Sequence, residues 1–352
     1  MRRWVLIVTL LLATGAVAQT SHWEVGLNGG WSTPHDPSLS QYATWSNGMD
    51  VAWAVHMTGY SYWQLYRRYP TFAVRGSFGW MPGNIAGHRF GVVGVIRAPL
   101  WGRLDYNIAA GLSAYTKPRW LTHDSENIFI STLVCCLFDF GFVYNITDWL
   151  MLSASFLHSS NGFLVNPNKG LDFLQAGLTV KLGDVASYKT EDPRKQIVAT
   201  PFFDCHEVGF MASVGFSRSR HSVQKGLYFD YDLSLNYRYY LNPVISTGAT
   251  VDLWYNGSHL QQMDWYHDTY PIPMYVSAMW TMEGHWGPVS IAGGIGAAIL
   301  TSTRVDMPIY ERLGAYYNWG NNVAGVAIHA QYMKAEFIEW SYGRRFPIRR
   351  NR

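Results

Sequence analysis

Charge is what this sequence has least of. Only 14% of its 352 residues are Asp, Glu, Lys or Arg, against roughly 25% in soluble domains, so few groups are available to cover a wet surface. Long apolar runs are missing too: beyond the first 20 residues there is no stretch of about 18 or more, which excludes a bundle of membrane-spanning helices. Basic and acidic side chains nearly balance, 27 against 24, and losing Arg2 and Arg3 with a leader lowers the formal charge from +3 to +1. A chain so close to neutral has no electrostatic footprint for nucleic acid. Cysteine is scarce. Cys135, Cys136 and Cys205 build no disulfide framework and have no zinc-ligand spacing, and neighbours on a strand point to opposite faces, so Cys135 and Cys136 are not expected to bridge each other.

What is abundant is aromatic: 16 Trp, 23 Tyr and 17 Phe in a chain that is 48% hydrophobic. That content excludes disorder. Low charge, many aromatics and a mean hydropathy of −0.06 together suggest alternation, apolar on one face and polar on the other, as in a membrane-spanning β-barrel. The start of the chain reads as an export signal over residues 1–18. Arg2 and Arg3 form its positive end, Trp4 to Leu12 its apolar core, and Ala16-Val17-Ala18 a small-x-small cleavage site. No Cys follows that site, which argues against a lipoprotein.

From Trp23 onward, short alternating segments are separated by Gly, Pro, Asn and Asp, the signal of consecutive antiparallel strands. In Leu104 to Leu112 every even position is apolar or small and the odd ones are mostly polar or small, the division that lipid outside and a packed interior require. The pattern recurs. Glu24-Val25-Gly26 is echoed by Glu207-Val208-Gly209, and Trp101-Gly102 with Gly111 by Trp286-Gly287 with Gly296. Leu171-Asp172-Phe173-Leu174-Gln175 is echoed by Ala335-Glu336-Phe337-Ile338-Glu339.

The expected architecture is all-β: two tandem eight-stranded antiparallel transmembrane barrels, with a single barrel of about 16 strands as the alternative. A first barrel over 19–183 has strands near 23–31, 50–58, 71–80, 88–98, 102–115, 131–145, 149–160 and 172–182. A polar, Pro-broken connector over 184–203 suits a periplasmic linker, since turns within such barrels are short. A second barrel over 204–346 ends on the aromatic strand Trp340 to Phe346, followed by a basic tail over 347–352.

Polar residues in a lipid-facing register are the informative exceptions. Between Trp149 and Ser160 the even positions run Leu150, Leu152, Ala154, Phe156 and then His158 and Ser160. In the next strand Asp172 shares a face with Leu174, Ala176 and Leu178. His158, Ser160 and Asp172 are therefore expected together on the outer wall near one hairpin end. A serine hydroxyl becomes a nucleophile when a neighbouring base takes its proton, and that base works best when an acid orients its imidazole. The loop from Asn161 to Gly170 is able to aim backbone N–H groups or an Asn amide at an oxyanion. A site on that wall reaches only a substrate lying in the bilayer, so a lipid ester is expected. Strand ends at an interface also carry His, Ser and Asn simply because headgroups and water are there, and that reading stands beside the catalytic one.

His158-Ser159-Ser160-Asn161-Gly162, followed by Asn166-Pro167-Asn168-Lys169-Gly170-Leu171-Asp172, resembles the signature of the outer-membrane lipid A deacylases, the PagL family, also described as acyloxyacyl hydrolases. The segment Trp63 to Pro70 is similar more weakly, and the likeness covers residues 22–183. It implies an eight-stranded barrel in the outer membrane, lipopolysaccharide as substrate, and no metal or organic cofactor. It also implies His158 as general base, Ser160 as nucleophile, Asp172 as orienting acid, and Asn161 and Asn168 near the oxyanion. Two departures are plain. The best-known members carry Glu where Asp172 stands, and the second barrel is not part of the minimal family fold. In that copy Glu336 matches Asp172, but His329 takes the inward register and no Ser accompanies it, so it reads as degenerate, serving structure or lipid contact. The rivals are an outer-membrane phospholipase A, which has Asn at the position of Asp172, and a non-enzymatic adhesin, small pore or anchor.

Overall fold

The computed structural model describes residues 20–33, 37–59, 61–162, 164–165, 167–185, 194, 206–218, 226–259, 273–301, 309–331 and 334–348. The export signal, most of the 184–203 connector and Cys205 lie outside the described residues.

Alternation in the sequence becomes alternation of burial. In the first half the strands are β1 (Thr20–Ser32), β2 (Trp45–His56), β3 (Thr71–Trp80), β4 (Arg89–Trp101), β5 (Leu104–Tyr115), β6 (Val134–Asn145), β7 (Leu150–Ser160) and β8 (Leu171–Gly183). Along β5 the odd residues Asp105, Asn107, Ala109, Ser113 and Tyr115 are buried, while Leu112 faces out. Along β4, Val93 and Val95 are buried and Phe90 and Val92 are exposed. Successive strands pair in order, and β1 pairs with β8 as well as β2, Trp23 lying beside Trp53 on one side and Leu182 on the other. The sheet closes on itself and has no edge.

The second half repeats this with β9 (His206–Arg218), β10 (Leu227–Asn242), β11 (Ile245–Asn256), β12 (Met274–Trp286), β13 (Val289–Thr301), β14 (Ile309–Trp319), β15 (Asn322–Gln331) and β16 (Lys334–Pro347). Here β16 closes on β9, with Trp340 beside Val214. The alternative of one 16-stranded barrel is thereby overturned, because β8 bonds back to β1 instead of continuing the sheet. The sequence echoes fall at equivalent places. Gly102 (φ 51°) and Gly287 (φ 65°) each turn the chain between the fourth and fifth strand of their barrel, in a left-handed conformation that glycine adopts without strain.

Each lumen is filled by side chains, as eight strands require. In the first barrel Val93, Leu137, Phe129, Leu157 and Phe173 belong to one apolar cluster. Alongside it are buried ion pairs: Arg97 donates to both oxygens of Glu24, at 2.8 and 2.9 Å, and Arg75 pairs with Asp139. The second lumen is more polar. Arg312 donates to Asp252 at 3.0 Å and to Asp232 at 2.9 Å, and Glu283 is held by Arg238 and Arg345. The outer walls carry large exposed apolar side chains such as Trp23, Leu27, Val92, Leu233 and Leu235, the surface of a barrel that faces lipid. Among the described residues no helix is long and apolar enough to cross a membrane.

Candidate active site

The β7–β8 hairpin decides which residues meet. Its register places His158 directly across from Asp172 and Ser159 across from Leu171. Faces follow from the strand period of two. Ser159 points into the lumen, where its hydroxyl lies 2.8 Å from that of Ser113 on β5, and Phe173 is buried in the same interior. His158, Ser160 and Asp172 therefore take the opposite face, in line with Phe156 and Leu174 of the apolar wall. On that wall Phe156 is 41% exposed and the His158 side chain 36%.

His158 Nδ1 lies 2.5 Å from Asp172 Oδ1. A carboxylate only accepts hydrogen bonds, so Nδ1 is the donor, and in the neutral ring Nε2 is left as the basic nitrogen. The Asp172 side chain is only 11% exposed, so solvent screens this pair less than a surface one. Aspartate, one methylene shorter than glutamate, reaches the ring because the two residues are direct cross-strand partners. An imidazole oriented by an acid, two residues from a hydroxyl on the same strand face, is the arrangement that nucleophilic acyl transfer uses.

The loop is organised by its own side chains. The Asn161 backbone N–H donates to Asn168 Oδ1 at 3.1 Å, and the Asn161 amide donates to the Val165 carbonyl at 2.9 Å. Both residues expected near an oxyanion thus hold the loop together. Gly162, at φ 62°, sets its N–H 3.5 Å from Ser160 Oγ. Gly170, at φ 71°, donates its N–H to the Phe129 carbonyl at 3.1 Å, which ties the returning chain to the β5–β6 connection.

The second barrel is arranged differently. His329 faces inward, as its register implies, stacked between Tyr310 and Phe337 with ring centroids 4.8 and 4.7 Å away. Its Nδ1 is 3.7 Å from Glu336, beside a register shift between His329 and Ala330. Sequence reasoning missed a serine–histidine contact in this barrel: Ser246 Oγ and His285 Nε2 lie 2.9 Å apart, with Glu283 3.9 Å from the other ring nitrogen. The common even or odd register of Glu283 and His285 on β12 was the available signal. All three are buried in the lumen, and Glu283 is already neutralised by two arginines. Among the described residues no group of three His, Cys, Asp or Glu is placed to hold a metal ion.

Fold and site define the class: a tandem transmembrane β-barrel protein with a histidine–carboxylate pair on the apolar wall of its first barrel. Residues 206–350 match the family model of the acyloxyacyl hydrolase C-terminal domain, PagL_C, so the second barrel is similar to that domain. This moves the likeness. The sequence motif resembles the family over the first half, whereas the family model matches the second barrel, the copy read as degenerate and outside the family fold. No curated protein matches the chain. Among solved structures the chain is similar to one from the de novo design of transmembrane β-barrels, at 15% identity over 46% of this chain and 95% of that one, TM-score 0.26. It is also similar to a triple mutant of Rhodopseudomonas blastica porin, at 10% identity over 93% of this chain and 100% of that one, TM-score 0.20. Likenesses this weak carry no argument, and the closure of each barrel rests on its own strand pairing.

Proposed function

We propose that the first barrel is an outer-membrane esterase that removes an ester-linked acyl chain from the lipid A part of lipopolysaccharide. Ser160 Oγ attacks the ester carbonyl while His158 Nε2 takes its proton, and Asp172 holds the ring and stabilises the imidazolium. The tetrahedral intermediate expels the lipid A alkoxide, which recovers the proton from His158, leaving an acyl-serine. Water, activated by the same histidine, then releases the fatty acid and restores Ser160. The Gly162 N–H, which donates to Ser160 Oγ at 3.5 Å, serves as a backbone donor for the oxyanion, and Asn161 and Asn168 position the loop that carries it.

The observation that carries this reading is the 2.5 Å bond between His158 and Asp172 on the lipid-facing side of the hairpin, where a purely structural barrel has no use for it. Orientation supports the outer leaflet. The connection that follows β7 leaves the barrel at the end where β1 joins β2 and β5 joins β6, whereas the other end carries 57–70 and the two tight turns 102–103 and 146–149, and the short turns of such barrels are periplasmic. The acyloxyacyl hydrolase match over residues 206–350 supports the substrate class. The implied partners are lipopolysaccharide and outer-membrane lipids, with export through the cleaved signal of residues 1–18.

Mass spectrometry of lipid A from cells with and without the protein tests this. Loss of one acyl mass is expected. Loss of phospholipid acyl chains with lipid A unchanged points to a phospholipase, and no change in either removes the enzymatic reading. Ser160→Ala and His158→Ala are each expected to abolish the mass loss, since removing either residue of such a unit costs about 10⁶ in rate.

A further inference from the structure

Below the His158–Asp172 pair the outer face of β7 and β8 continues as a ladder of cross-strand pairs. Phe156 faces Leu174, Ala154 faces Ala176, and Leu152 faces Leu178, with successive rungs about 6.7 Å apart along the strands. β1 extends the same rungs, setting Trp31 beside Leu174, Gly29 beside Ala176 and Leu27 beside Leu178. The wall therefore has relief: a high rung of Phe156, Leu174 and Trp31 directly beneath the polar pair, a low rung of Ala154, Ala176 and Gly29, then a high rung again. One end of the low rung is closed, because a Cβ on Gly29 would stand 2.8 Å from the ring of Trp45. Phe156 and Leu174 are 41% and 57% exposed, so each has side-chain surface left to pack against a ligand.

We propose that Phe156 and Leu174 are specificity-determining residues that select long acyl chains. The inference rests on the hydrolytic reading of His158 and Ser160. An ester carbonyl must reach Ser160 Oγ, and its chain, being apolar, runs from there away from the loops and down the wall. The first rung it meets is Phe156–Leu174. An acetyl group ends above that rung. A myristoyl chain passes over it and drops onto the low rung, packing against side chains on both sides. Within an apolar solvent this gain is one of van der Waals packing, not of water expelled. It is made equally in ground and transition states, so it acts on KM and leaves kcat nearly unchanged.

The test compares p-nitrophenyl acetate, octanoate and myristate as substrates of the full-length protein in detergent, with barrel integrity checked by heat-dependent gel migration. Phe156→Ala and Leu174→Ala are expected to lower the myristate-to-acetate ratio of kcat/KM by about three- to tenfold, ~0.6–1.4 kcal/mol of packing, through KM. Phe156→Leu, which keeps an apolar rung, and Val92→Ala, on distant β4, are expected to retain the wild-type ratio. Should Phe156→Ala not fold, Leu174→Ala decides. An unchanged ratio in a folded Phe156→Ala or Leu174→Ala protein overturns the assignment, and so does an equal fall in Val92→Ala. A wild-type protein that cleaves no ester of any length overturns the hydrolytic reading itself. One that cleaves all three equally overturns only the role of Phe156 and Leu174.

Discussion

Replacing Asp172 by asparagine keeps the side-chain volume and removes the charge that orients His158. The present contact is 2.5 Å, from His158 Nδ1 to Asp172 Oδ1. An amide in that place is able to donate to Nδ1, which drives the ring proton to Nε2 and takes away the nitrogen that must receive the serine proton. The same replacement in a serine protease triad costs about 10⁴ in kcat, equivalent to ~5.5 kcal/mol of barrel-independent activation free energy. Asp172→Asn is expected to lose activity on that scale while the barrel stays folded, because a partly exposed wall position is not part of the packed lumen. Asp172→Glu restores the charge but lengthens the arm. A misplacement of ~1 Å costs roughly 10² in rate, so the order is expected to be Asp, then Glu, then Asn. The assay is fatty-acid release by the purified protein in detergent, with mass spectrometry of the lipid product and heat-dependent gel migration as the folding control. A folded Asp172→Asn protein with wild-type rate would refute the assignment of Asp172 and the geometric argument behind it.

Ser159→Ala, on the opposite face from Ser160, is expected to retain ester hydrolysis and to lose only ~1 kcal/mol of stability with the Ser113 hydrogen bond, measured by urea unfolding in vesicles. Arg97→Met leaves Glu24 buried without its bidentate partner and is expected to cost about 3–5 kcal/mol in the same measurement, whereas the double change Glu24→Gln with Arg97→Met is expected to be near neutral. An equally large loss in the double variant would show that packing, not charge, holds that layer. Ser246→Ala is expected to leave acyl release unchanged, because its contact with His285 lies inside the second lumen; a fall in activity would place the chemistry there.

Most strands were legible because alternation is a local signal. The segment expected at 71–80 is β3, Thr71–Trp80, and that expected at 149–160 is β7, Leu150–Ser160. β2 was less so. It was expected from residue 50 and begins at Trp45, because Ser46-Asn47-Gly48 has turn composition. That glycine serves a packing need instead: a Cβ there would stand 2.2 Å from Asn28 Oδ1 on the paired strand. The family resemblance implied Asn161 and Asn168 near the oxyanion, whereas their hydrogen bonds, Asn161 N–H to Asn168 Oδ1 and the Asn161 amide to the Val165 carbonyl, depend on the path of the loop, which the motif does not contain. The Ser246–His285 contact was missed for a similar reason. Its partners are 39 residues apart, and only pairing of β11 with β12 brings them together.

Residue order alone determined the parity of this chain: which side chains share the greasy face, and that a histidine, a serine and an aspartate interrupt it. Parity is a property of the strand backbone, so it needs no knowledge of partners. Only the tertiary structure decided that the sheet closes after eight strands and again after sixteen, that His158 stands directly across from Asp172, and which lumen charges neutralise one another. Closure, register and ion pairing are agreements between segments far apart in the chain, and they are settled by packing that no single strand contains.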